Sequence, residues 1–266
     1  MTAALRGLGK YLAIARISAR SSTAYLGDMA GRTGFFVLIL FILSSVWEKL
    51  LGTGTVEGLA QRDLVWYLVF TESLMLAVPP FEGAIEDEIR SGSVAYLMVR
   101  PVSYLGHHFA TFLGEAAVRL GLNLLVGAPF GLLVGGPPPA PLAGVPWALA
   151  ATVLGLALHF HVLACLALIA FWLEEARPFF WIYQKLLFTA GGLMIPMEFF
   201  PGWLRQLLDF LPFSSILYAP ARLAVRHDPA FASGLLLQQA AWVAVFVGLS
   251  HAIYRRATAR LQINGG

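Results

Sequence analysis

Formal charge is what this chain has least of. Only 12 % of its 266 residues are Asp, Glu, Lys or Arg, against about 25 % in an ordinary soluble domain. That little charge cannot cover a globular surface, which argues against a soluble single-domain enzyme. Disorder is excluded by the opposite excess, because 58 % of the residues are hydrophobic. The single cysteine, Cys165, sits in an apolar run, so neither an intrachain disulfide nor a Cys-based metal cluster is available. A G-x-x-x-x-G-K-[ST] motif is missing, so the chain has no P-loop with which to bind ATP. There is no basic cluster for nucleic acid, since the net charge is only +3 and the basic residues lie at the edges of apolar runs. No repeat or low-complexity segment is visible. What remains is an all-α, polytopic membrane protein, with room for five to seven spans at about 20 residues each.

Six spans are expected: Thr33–Leu51, Leu64–Phe81, Phe109–Gly135, Trp147–Leu173, Phe179–Pro196 and Phe231–Tyr254. The third and fourth come from 54 uncharged residues, Leu120–Leu173, divided by the turn sequence GGPPPAPLAGVP at 135–146. Residues 1–32 do not read as a signal peptide, because Arg6, Lys10, Arg16 and Arg20 interrupt any apolar core. Those charges fall within an arc of about 120° on a helix, opposite Leu5, Leu8, Leu12 and Ala15. An amphipathic helix resting on anionic lipid fits; a short tail obeying the positive-inside rule is the plainer alternative. With the N-terminus inside, 12 Lys and Arg fall in cytoplasmic segments and five in outer ones. Both termini are therefore expected in the cytoplasm.

Two segments are not explained by spanning. The first, 82–108, carries the acidic cluster Glu86, Asp87 and Glu88, then Arg90, a Ser91-Gly92-Ser93 break, a short apolar helix Val94–Val99 containing Leu97, and Arg100-Pro101. Pro101 is expected at the start of the next helix, where its missing N–H is unneeded. A short helix between Gly and Pro hinges suits docking onto a cytoplasmic partner; a loop resting on lipid is the alternative. The second, 196–225, is too apolar for a solvated loop, yet Pro196, Pro201, Pro212 and Pro220 cut it into pieces too short to span. Trp203, Leu204, Leu207, Leu208 and Leu211 recur at helical spacing, with Arg205 and Asp209 opposite. This predicts a helical hairpin dipping into the outer leaflet, shielded by protein or a water-filled cavity. Phe199 and Phe200 beside Pro201 form either an apolar outer gate or an interfacial anchor.

Ionisable residues at bilayer depth cost about 2.5–3.5 kcal/mol each on insertion scales, so each needs a partner or a cavity. Glu72 is mid-span with no partner nearby in sequence, and is read as a pathway or interface residue or as a structural hydrogen-bonder. Glu115 and Arg119 are i, i+4 and expected to pair. Glu198 lies near the outer end of the fifth span. His159 and His161, two apart, face different directions and are not expected to share a metal. Gly127, Gly131 and Gly135 form a small-residue ridge, suited either to a dimer seam or to packing within the chain.

Two stretches carry a resemblance. EDEIRSGSVAYLMVRPVSYLGHHFATFLGE resembles the E-x-R-x-G-T-x-x-x-L-x-x-x-P-(V/I)-S loop of ABC-2 exporter permeases, and GGLMIPMEFFPGWLRQLLDFLPFSSILYAPARL resembles that family's P-x-x-x-x-P-x-W-L-x-x-L-x-x-x-x-P stretch. The nearest match is the subgroup whose loop ends L-x-x-R-P-V-S, here Leu97 to Ser103. One departure is Ser93-Val94 where a Gly-Thr pair is common, Gly92 keeping the glycine.

The resemblance spans the whole chain, as one permease domain over 1–266. It implies a coupling helix in 82–108 that contacts a separate P-loop ATPase, which would hold ATP and Mg, so that no cofactor and no catalytic residue belongs to this chain. It also implies an outer re-entrant element, a second permease that is either an identical or a related chain, and a bacterial cytoplasmic membrane location. The competing readings are an intramembrane lipid-modifying enzyme and a channel-like protein. The first would want a D-x-x-D set, a Ser/Lys or Ser/His dyad or an H-E-x-x-H motif, none of which occurs. The second has no use for the hinged acidic loop.

Overall fold

The computed structural model describes residues 3–264 apart from 25, 53, 56, 174 and 227, and side chains except those of 3–7, 26–30, 98 and 260–264. Among the described residues eleven α-helices follow in order: α1 Ala3–Thr23, α2 Leu26–Leu51, α3 Gln61–Ala77, α4 Glu82–Arg90, α5 Val94–Met98, α6 Tyr104–Val134, α7 Val145–Ala167, α8 Arg177–Ala190, α9 Gly202–Phe210, α10 Tyr218–Val225 and α11 Pro229–Asn264. Among the described residues there is no strand. Five helical stretches are long and apolar enough to cross a membrane: Gly31–Leu51, Gln61–Arg90, Tyr104–Val134, Leu142–Phe171 and Pro229–Ala259. The chain is an all-α membrane protein.

The stretches containing α3 and α7 are buried through most of their length, whereas few residues of α2, α6 and α11 are fully buried. That inverts the soluble pattern and is what a bundle facing lipid or another apolar surface needs. Two cores fill it. One, at the end carrying α4 and α5 (the loop end), is built on Phe81, which stacks on Phe160 at 4.7 Å and meets Phe112 edge-on at 5.2 Å. The other, at the end carrying α9 and α10 (the hairpin end), gathers Phe36, Leu40, Trp47, Leu68, Met197 and Tyr218.

Close backbone approach holds the helices. A Cβ on Gly127 would stand 3.0 Å from both Phe36 and Val69, on Gly131 3.1 Å from Trp66, and on Gly135 3.1 Å from Val65. The glycine ridge therefore packs α6 against α2 and α3 of the same chain. Helix α1 does more than rest on lipid: Tyr11, Ile14, Ala15, Ser18 and Ser22 recur at helical spacing on its less exposed face, and it packs against α6. A Cβ on Gly114 would overlap the Ala15 carbonyl oxygen. Of the apolar side read opposite the basic arc, Ala15 is docked, while Leu8 and Leu12 are exposed.

Three local expectations change. Pro101 is not at the start of α6; Ser103 caps that helix, accepting from the Gly106 N–H at 3.3 Å, and the Pro101 carbonyl accepts from Lys10 Nζ at 3.2 Å. Pro220 does not cut the hairpin, because it sits in the first turn of α10, where no intrahelical N–H is required. The expected fifth span, Phe179–Pro196, is α8 and then a break. Helix α8 has 14 residues, about 21 Å of rise against a hydrocarbon core of about 30 Å. Gly192, at φ +74°, turns the chain out of the helix. Three side chains then satisfy three successive carbonyls: Tyr67 OH donates to Gly192, Thr71 Oγ1 to Leu193 at 2.9 Å and Trp47 Nε1 to Met194 at 3.3 Å. Irregular backbone persists in a membrane only with partners of this kind.

Candidate functional site

Three regions hold the residues singled out in the sequence. At the loop end, α4 and α5 fold as two short helices joined at Gly92, whose φ of +74° makes the turn. Val94 is fully buried and Leu97 packs on the core, so α5 is pinned from one side. Its other side is bare, with Tyr96 80 % and Val99 85 % exposed beside exposed Arg90 and Arg100.

The acidic cluster divides. Asp87 is exposed, but Glu86 is only 2 % exposed with Arg90 3.8 Å away, and Glu88 turns inward. Glu88 Oε2 accepts from Tyr104 OH at 2.7 Å and pairs with His108 Nε2 at 3.0 Å, while Tyr104 stacks on Tyr254 of α11 at 5.3 Å. Glu88 thus braces the loop to α6 and, through Tyr104, to α11. Tyr104 and His108 were not picked out in the sequence; the signal for them was a Tyr and a His four apart on one helix face, following an acidic loop.

A cavity of about 580 Å³ lies between α2, α3, the start of α4, α7 and α8. Glu72 lines it, is 3 % exposed, and its Oε1 has no hydrogen-bond partner. His159 and His161 do part company: Nδ1 of the first pairs with Tyr183 OH at 2.8 Å, and Nδ1 of the second with Ser250 Oγ at 2.9 Å. Among the described residues no group of three or more His, Cys, Asp or Glu is arranged to hold a metal. Glu115 and Arg119 pair on α6 at 3.7 Å.

At the hairpin end, Pro196 precedes a 3₁₀ turn, Met197–Phe199, and Pro201 caps α9. Glu198 is inside this structure and away from the cavity: its Oε1 accepts from Tyr218 OH and Arg222 Nε, both at 2.9 Å. Phe199 packs on Trp47 at 4.8 Å and Phe200 on the same core, so both are half-buried braces. Pro212 is buried in the turn between α9 and α10, while Trp203, Leu207 and Phe210 form the exposed face of α9. Beneath that turn, Gln239 Nε2 donates to Ser215 O at 2.7 Å and Ala151 O at 3.0 Å, and Gln238 Nε2 donates to Asp209 O. The glutamine pair was the overlooked signal, two adjacent amides in an otherwise apolar run. Trp242, which fits no interface, packs against Phe210 of the hairpin at 6.4 Å.

A family model described as ABC-2 family transporter protein matches residues 33–265, nearly the whole chain and including all three regions. No curated protein matches it. The chain belongs to the ABC-2 transporter family, and is a multi-pass membrane permease subunit of an ABC transporter.

Proposed function

We propose that this chain is the permease of an ABC exporter, working with a second permease chain and driven by a separate P-loop ATPase that docks on the 82–108 loop. The observation that carries it is the two-sided α5. Val94 and Leu97 anchor the helix to the core, while Tyr96 and Val99 stand clear of it beside Arg90 and Arg100. An apolar, positively edged tip held on a rigid base suits contact with a partner that moves. Closure of the ATPase around ATP and Mg pushes on α5, and Glu88, Tyr104 and Tyr254 pass that push to α6 and α11. The loop end faces the cytoplasm, together with both termini, in keeping with the bias of Arg and Lys. The α9–α10 hairpin closes the outer end of the route.

The test is affinity purification of the chain in mild detergent from its own host. The wild type should bring a stoichiometric P-loop ATPase, and Tyr96→Asp with Val99→Asp should release it without changing the chain's own yield. Purification without any ATPase, or retention by the double variant, contradicts the docking site.

A further inference from the structure

The cavity against Glu72 has a chemistry that bundle packing does not explain. Its volume, about 580 Å³, falls in the range of about 300–1,000 Å³ that holds drug-sized ligands. Phe35 of α2 and Trp181 of α8, 57 % and 66 % exposed, flank it, so it opens sideways between those two helices. Its walls are apolar and aromatic, with Phe180 and Phe188 adding two more rings.

Against that apolar lining stands a carboxylate with one buried oxygen that no donor meets. Glu72 is 3 % exposed and its Oε1 meets no donor. Glu82 lines the same space, and its Oε2 is also buried without a hydrogen bond. Among the described lining residues Arg32 is the cation, at the α2 side, and His159 has its Nδ1 committed to Tyr183. Of those described residues, two carboxylates and one guanidinium line the space. An anion entering here meets net repulsion, and a neutral apolar guest leaves the buried Glu72 Oε1 without a donor.

The rings themselves are disposed to hold positive charge. Lys185 Nζ already lies 5.3 Å from the ring centroids of both Trp181 and Phe188, the geometry in which a cation is attracted by the face of an aromatic ring. Lys185 itself is exposed and is not among the lining residues.

We propose that this cleft binds a lipophilic organic cation, with the Glu72 carboxylate as its counter-charge and the rings of Phe35, Phe180, Trp181 and Phe188 as its walls. The inference rests on the permease reading and names the substrate class of that pathway. Recognition combines one buried charge with apolar area, so shape-matched cations of different structure should bind alike and anions of the same shape should not.

The experiment measures equilibrium binding of radiolabelled tetraphenylphosphonium to the purified full chain in lipid nanodiscs, with tetraphenylborate as the competitor of the same shape and opposite charge. Because no ATPase is present, its outcome is independent of whether a partner docks on the loop. The expected result is one saturable site per chain, no competition by tetraphenylborate, and a Kd raised at least tenfold in Glu72→Gln; tenfold corresponds to about 1.4 kcal/mol. Should Glu72→Gln not give a monodisperse protein, Trp181→Ala decides, since its exposed ring supports no core; it should weaken binding about threefold to tenfold. No saturable binding, equal competition by tetraphenylborate, or unchanged affinity in the variant that folds overturns the proposal.

Discussion

Gly114 is the residue on which the position of α1 depends. A Cβ there overlaps the Ala15 carbonyl, which belongs to backbone and cannot rotate away, so the two helices must separate. Overpacking of this kind costs about 1–3 kcal/mol. Gly121 lies on the same helix with nothing within 4 Å of its would-be Cβ, and there alanine gains up to about 1 kcal/mol of helix propensity. Gly114→Ala should therefore lower the thermal unfolding midpoint of the purified chain, while Gly121→Ala leaves it unchanged or raises it. Equal behaviour of the two variants would mean that α1 is not seated against α6. Contacts like this were illegible in the sequence, where the helix showed its charged arc and its leucines. The docked face, Tyr11, Ile14, Ala15, Ser18 and Ser22, mixes polar with apolar residues and shares only Ala15 with the apolar side read from the sequence. Glu88 illustrates the same limit. Its charge was legible, but its direction was set by Tyr104 and His108, 16 and 20 residues further on.

At the scale of elements, the irregular segments are held by side chains from the regular ones. Thr71 gives one hydrogen bond to the break after α8, and Gln239 gives two, to the base of the hairpin and to α7. An interhelical hydrogen bond of this sort contributes about 0.6 kcal/mol on average and up to about 1.7. Thr71→Val should then cost a small amount of thermal stability and Gln239→Leu about twice as much. Both should leave ATPase docking intact, because neither residue touches the loop end. A larger loss from Thr71→Val than from Gln239→Leu contradicts this ranking. Proline and glycine spacing made both irregular segments legible in outline: the hairpin appears where Pro196, Pro201 and Pro212 placed it. The length of α8 was not legible, since 186–196 carries no charge that would mark its end, and the positive φ of Gly192 turns the chain out of its helical course. Pro220 misled for the opposite reason, because a proline in the first turn of a helix leaves the helix whole.

Across the whole molecule, the two ends are linked by helices long enough to carry a displacement between them. Helix α11 has 36 residues, about 54 Å. It meets the loop brace through Tyr254 and the hairpin through Trp242 and Gln239. The all-helical membrane fold was legible from composition, because 54 consecutive uncharged residues have few other uses. The family was legible from the two proline-punctuated motifs, and the match over 33–265 bears that out. The cavity was not legible: its lining comes from five helices spread between Arg32 and Phe188, and only Glu72, with no partner nearby in sequence, hinted at it.

The proposed docking of an ATPase at the tip of α5 is tested most directly by cross-linking. Cys165 is buried, so a cysteine introduced at Tyr96→Cys presents the accessible thiol, and Leu142→Cys does the same at the opposite end, where Leu142 is 88 % exposed. In native membranes treated with a short thiol-to-amine cross-linker, the Tyr96→Cys chain should join to a P-loop ATPase and the Leu142→Cys chain should not. Failure of Tyr96→Cys to capture an ATPase, or equal capture from Leu142→Cys, would contradict the account.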